Sequence, residues 1–158
     1  MNLVILGPQG SGKGTQAKLL SQKFDLTHLS TGDLLRSEAA SGSTKGKLIA
    51  NLLAKGHLVP FETVLEVLEE ALKKAKNGFI LDGIPRDLRQ AEYLDYFLKE
   101  IGTKIDHVIY PSLPREDSIN RLLKRAQIEH RTDDTLEVIN HRLEVYEKET
   151  VPVLDYYK

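Results

Sequence analysis

The sequence contains no cysteine. That absence removes disulfides, thiol catalysis and thiolate metal sites together, and it suits a reducing compartment, by default the cytoplasm. Excess charge is lacking too: 22 Lys and Arg stand against 23 Asp and Glu, a formal net charge of -1. The bulk charge therefore offers no general affinity for nucleic acid or an anionic membrane, and any basic function must be local. The longest apolar run, Leu3 to Leu6, is far short of the ~20 residues that span a bilayer. It leads into a glycine-rich turn and not a cleavage site, so no targeting segment is visible. No repeat or low-complexity tract occurs. What is present is 158 residues, 41% hydrophobic and 28% charged, the size and composition of one globular domain with a real core.

Strand-type and helix-type segments alternate, the pattern of a parallel sheet covered by helices on both faces. Asn2 to Leu6 is continuously apolar after its first residue, as in a central strand buried on both sides. A helix is expected from about Gly12 to Phe24 and a short strand near Thr27 to Leu29. Ser30 with Asp33 reads as a capping box opening the next helix. Ala40 to Gly46 breaks that helical pattern, which resumes through Leu48, Ile49, Leu52 and Leu53 and stops at Gly56, outlining a small helical insertion. Phe61, Leu65, Leu68 and Leu72 mark one helical face ahead of a strand at Phe79 to Asp82. Ala91, Leu94, Leu98 and Ile101 mark the inward face of a helix over Leu88 to Ile101. A fourth strand is expected at Ile105 to Tyr110, then a helix from Pro114 to about Ala126. Leu136, Ile139, Leu143 and Tyr146 predict a last long helix ending near Pro152.

The chemistry begins at Gly7-Pro8-Gln9-Gly10-Ser11-Gly12-Lys13-Gly14-Thr15, a Gly-x-x-x-x-Gly-Lys spacing between a predicted strand and a predicted helix. Glycines let several N–H groups point inward, and the helix N-terminus adds partial positive charge, so the segment forms an anion cradle. Lys13 adds a full charge for the β and γ phosphates. The strict motif has Ser or Thr directly after the Lys; here Gly14 intervenes, and Thr15 is the better candidate for a hydroxyl near Mg²⁺.

This segment, followed by Ser30-Thr31-Gly32-Asp33-Leu34-Leu35-Arg36 and Asp82-Gly83-Ile84-Pro85-Arg86, resembles the nucleoside monophosphate kinases, and the adenylate kinase family in particular. The resemblance runs from Met1 to about Tyr157. It implies an α/β P-loop NTPase fold with a parallel sheet of about four strands and helices on both faces, a helical AMP-binding insertion over residues 31–59 and a very short lid over 126–132. The implied reaction is reversible phosphoryl transfer from Mg·ATP to AMP, giving two ADP. Gly10, Ser11, Gly12, Lys13, Gly14 and Thr15 would hold ATP together with Arg121 and Arg125, which lie four apart and so share a helical face. Arg131 and Arg142 would join Lys13, Arg86, Arg121 and Arg125 as the catalytic charges. Thr31, Gly32, Arg36, Val59, Gly83, Arg86, Gln90, Arg131 and Arg142 would contact AMP, with Arg36 and Arg86 as forks on its phosphate and Gln90 offering a donor and an acceptor to the base. Asp82 resembles a water-mediated Mg²⁺ ligand at the carboxyl edge of the sheet. Ile84 replaces the usual Phe or Tyr at what resembles a packing position.

Asp133 and Asp134 match a lid-hinge element of the family and equally suit an N-cap for the last helix. Without cysteine no lid zinc site can be built, and His28, His57, His107, His130 and His141 lack metal-ligand spacing. Family members usually continue into a fifth strand and a terminal helix beyond the last long helix. From that difference a monomer, or weak self-association through the open edge of the fourth strand, is expected, with weak discrimination between ATP and GTP. Two other readings remain open: a kinase for another monophosphate such as CMP or UMP, and a nucleotide-binding module with reduced turnover.

Overall fold

The computed structural model describes residues 1–54, 59–129 and 135–158. Four parallel strands, β1 (Asn2–Ile5), β2 (Thr27–Ser30), β3 (Phe79–Asp82) and β4 (His107–Ile109), form one sheet in the order β2-β3-β1-β4. Between them run α1 (Lys13–Phe24), α2 (Thr31–Ala40), α3 (Thr44–Ala54), α4 (Phe61–Lys74) and α5 (Leu88–Glu100); α6 (Arg115–Glu129) and α7 (Leu136–Val145) follow β4. A π-helical turn over Tyr146–Thr150 then leads directly into α8 (Val151–Tyr156).

Side chains alternate across a strand, so each strand of the sheet feeds two cores. Leu3, Ile5 and Ile80 pack with Ala17 of α1 on one face. Val4, Phe79 and Leu81 pack with Leu68 and Leu72 of α4, Leu94 and Leu98 of α5 and Val153 of α8 on the other. The continuous apolar run of β1 thus has the cause expected of it, helices on each side, and the apolar run of β3 shares it. A third cluster, Leu122, Ile139 and Leu143, joins α6 to α7.

Register carries the sheet into the site. Ile5 pairs with Asp82, and Ser30 pairs with Asp82 from the other side. The loop leaving β1, the start of α2 and the end of β3 therefore emerge at one carboxyl edge, where open α/β sheets bind ligands.

Several local expectations are corrected. β4 is shorter than Ile105 to Tyr110, because Asn2 satisfies the preceding segment with contacts outside the ladder: its N–H donates to Asp106 Oδ2 at 2.7 Å and its Nδ2 to Thr103 Oγ1 at 2.6 Å and Lys104 O at 2.8 Å. Ile101 is 39% exposed, since α5 ends there and Gly102 turns the chain away with φ 73°. α6 passes Ala126 and continues to Glu129; Gln127, Ile128 and Glu129 are polar or exposed but not helix breakers. Pro152 does not end the last helical segment. It sits in the first turn of α8, after a π turn that has already interrupted the regular ladder, so its missing N–H costs little. Thr135 is the N-cap of α7, its hydroxyl accepting from Val138 N at 3.3 Å. Asp133 and Asp134, with Arg131, His57 and His130, lie outside the described residues.

Candidate active site

The phosphate loop is shaped by glycine where no other residue fits. Gly10 has φ 83°, and a Cβ there would come within 2.9 Å of Ser118 O on α6; Gly12, the N-cap of α1, has φ 87°. Both are left-handed conformations that side chains disfavour. The loop packs its outer edge on α6 and opens its inner edge at the N-terminus of α1, so the helix dipole and its first N–H groups face the concavity. Ser11 Oγ and Gln9 Oε1 are buried there without a hydrogen-bond partner among the described residues. A buried, unpaired hydroxyl in an electropositive loop has an anionic ligand as its natural partner.

Lys13 folds back over this loop, its Nζ donating to Gly7 O at 2.7 Å and Pro8 O at 2.8 Å. Desolvation by burial lowers its pKa from the ordinary lysine value to about 8; Asp82 opposes the shift, and the charges of Arg86 and Arg125 add to it. Arg86 is solvent-accessible in the open cleft. Enough protein surrounds it that desolvation, and then the charge of Arg142, lower its pKa as well. Lys13 thus has Asp82, Arg86 and Arg125 as electrostatic neighbours, and Arg86 has Arg142 and Asp82 as its own. Such crowding costs free energy until an anion arrives, the condition for strong binding of phosphates.

The residues expected on the acceptor side are held by hydrogen bonds. Arg86 Nε donates to Gly83 O at 2.7 Å, and its backbone N–H donates to Gln90 Oε1 at 2.8 Å. Asp87 caps α5 by accepting from Gln90 N at 2.8 Å. The side-chain carbonyl of Gln90 is therefore occupied, leaving its amide NH₂ as a donor. Thr31 is buried, its hydroxyl donating to Asp82 O at 3.3 Å. Ser30 caps α2 by accepting from Asp33 N at 3.4 Å, as the capping box predicts. The Asp33 carboxylate pairs with Arg36, which holds it below the usual carboxylate range. Gly32 lies against that guanidinium, where a Cβ would come within 3.2 Å of Arg36 Nη2. Ile84 is 1% exposed and belongs to the main core.

The remaining expected residues fall around this centre. Arg121 is exposed one turn before Arg125 on α6. Gly14 and Thr15 open α1, both exposed, and Gly14 faces the Asp82 carboxylate at 3.4 Å from the position of a Cβ. Gly83 leads to Arg86 with φ 89°. Val59 is half-buried just before α4. The donor set of Asp82 and Thr15 is all oxygen and contains no complete protein cage; no group of three or more His, Asp or Glu among the described residues is arranged for a metal. One carboxylate and one hydroxyl beside a phosphate cradle fit Mg²⁺, which keeps its waters and is held largely by the nucleotide. Thr150, which sequence reasoning did not single out, donates its hydroxyl to Arg86 O at 2.7 Å. No periodicity or motif signals a contact between residues so far apart. Among the described residues no helix is long and apolar enough to cross a membrane.

The comparisons agree with this geometry. A family model described as adenylate kinase matches residues 5–158. The chain is 48% identical over 157 residues to an adenylate kinase of Prochlorococcus marinus, covering 99% of this chain and 82% of that one. It is 46% identical over 160 residues to an adenylate kinase of Xanthomonas campestris pv. campestris, covering 100% and 86%. Against an adenylate kinase of Thermus thermophilus the identity is 42% over 156 residues, covering 99% and 82%. With the phosphate cradle, the converging basic residues and the matched length all in agreement, the chain belongs to the adenylate kinase family.

Proposed function

We propose that this enzyme catalyses ATP + AMP ⇌ 2 ADP by direct in-line transfer. The observation that carries the reading is the crowding of Lys13 by Arg86 and Arg125, and of Arg86 by Arg142, beside Asp82 and the phosphate loop. Phosphoryl transfer needs positioning and charge neutralisation more than covalent chemistry. No side-chain nucleophile is required, because an AMP phosphate oxygen attacks the γ-phosphorus itself. Gly10 to Thr15 with Arg121 and Arg125 bind the donor. Thr31, Gly32, Arg36, Val59, Gly83, Arg86 and Gln90 bind the acceptor, and Arg131 and Arg142 span the two. Asp82, through water, and Thr15 would hold Mg²⁺, which when bound neutralises charge on the phosphates.

Gln90 offers the base a donor. With its carbonyl engaged by Arg86, its NH₂ suits adenine N1. Guanine O6, cytosine N3 and the uracil carbonyls also accept, so the base is decided by rate. The test is an initial-rate panel of AMP, CMP, UMP and GMP with Mg·ATP. AMP is expected to be the best acceptor, and faster phosphorylation of CMP or UMP would overturn the assignment.

A further inference from the structure

We propose that Thr150 is a positioning residue for the acceptor phosphate, fixing Arg86 from the far end of the chain; this rests on the reading of Arg86 as the acceptor's phosphate fork. Threonine in a helical segment usually turns its hydroxyl back to a carbonyl of its own preceding turn. Thr150 closes the π-helical turn, is 8% exposed, and instead donates across 64 residues to Arg86 O at 2.7 Å. Arg86 is thereby held at three points: its N–H by Gln90, its Nε by Gly83 O and its C=O by Thr150. The first two ties lie within the loop and the turn of α5 it enters, whereas Thr150 belongs to the segment that packs on α5 through Val153. Among the hydrogen bonds of the described residues, the Thr150 tie refers Arg86 to an element outside that loop and helix.

That element is the one that carries Arg142. The charge of Arg142 disfavours the charged form of Arg86, so the two guanidinium groups repel in the unliganded enzyme. A single continuous helical segment, 136–156, bears both Arg142 and Thr150. The Thr150 hydroxyl therefore holds the two basic groups at a set separation against their repulsion, ready for the dianion that removes it. Thr150 itself is buried, so removing its hydroxyl takes away the donor on that side of the Arg86 carbonyl.

The experiment compares Thr150→Val, which keeps the shape and removes the donor, with Thr150→Ser, which keeps the donor; Thr150→Ala serves if the Val variant does not fold. Thr150→Val is expected to raise KM for AMP about tenfold while KM for ATP stays within about twofold, and Thr150→Ser is expected to restore the wild-type value. An unchanged KM for AMP overturns the proposal. So does a parallel rise in both constants that Ser fails to rescue, which would mean a merely structural contact. A second readout needs no turnover: the Arg86 Nε–H resonance of the unliganded protein, protected by Gly83 O, is expected to broaden or exchange faster in Thr150→Val. If wild-type enzyme phosphorylates no monophosphate, the functional reading has failed, and this resonance alone decides: altered in Val and normal in Ser sustains the positioning role, and unaltered in Val ends it.

Discussion

The two sides of the cleft are held by different spans of chain. On the donor side, Lys13 is fixed by carbonyls 6 and 5 residues before it, within one strand-loop-helix unit. On the side proposed for the acceptor, the Arg86 carbonyl accepts from Thr150, 64 residues later, and the neighbouring Thr31 hydroxyl reaches Asp82 O across 51. Locally built sites survive small displacements of the rest of the fold; a site assembled from distant segments inherits every shift in their packing. The placement of Lys13 should therefore be the less sensitive to remote substitution, and that of Arg86 the more sensitive.

The hardest blow to the donor side is Lys13→Met. Its charge strengthens its interaction as negative charge moves in the transition state, so kcat should fall by roughly 10²-fold or more. The melting temperature should change little, since the charged amine is held desolvated in the folded state and gains little there. Near-normal turnover in a folded Met variant would remove Lys13 from the mechanism.

On the acceptor side, Arg86→Ala should raise KM for AMP by about 30-fold, the scale of truncating one partner of a desolvated charge pair, with a much smaller change in KM for ATP. Arg86→Lys should recover little, because a point charge cannot reproduce the bidentate fork. Equal changes in both constants would erase the contrast between the two sides.

pH sharpens the comparison further. Lys13 titrates near 8 in the unliganded fold against an ordinary 10.5, so kcat/KM for ATP should decline about tenfold per unit above pH ~8. Nucleotide binding near that pH should take up protons, visible calorimetrically as a dependence on buffer ionisation enthalpy. The stability sign is opposite to that of a salt-bridged lysine. Between about 8 and 10.5 the unfolded chain keeps a proton that the folded state has released, so this group makes stability rise with pH in that window. A flat kcat/KM profile to pH 9 would mean that Lys13 remains fully charged.

The same contrast explains what could be read from the sequence. The phosphate loop, the Ser30 cap and the buried run of β1 follow from local spacing, burial pattern or turn chemistry, while the packing role of Ile84 follows from the family resemblance. The limits of α6 and β4, the outward turn of Ile101 and the passage of the last helical segment through Pro152 depend on what adjacent segments supply: a side-chain bond from Asn2, a glycine after α5, a widened turn before the proline. Gln90 is singled out through the family resemblance but not as a support for Arg86, and Thr150 is not legible at all, because a tertiary hydrogen bond leaves no periodic trace.

The smallest effect expected is none. The oxygen donors beside the cradle form no cage among the described residues, so EDTA should abolish turnover while leaving the melting temperature of the nucleotide-free protein unchanged. A drop of several degrees would reveal a structural metal.

The most direct test is to follow the phosphorus itself. With ATP carrying an isotopic label in its γ-phosphoryl group, an equimolar mixture with AMP and Mg²⁺ should yield two ADP per turnover by ³¹P NMR, the label appearing in the β-phosphate of the ADP derived from AMP. ADP accompanied by labelled inorganic phosphate, with AMP unconsumed, would contradict the account.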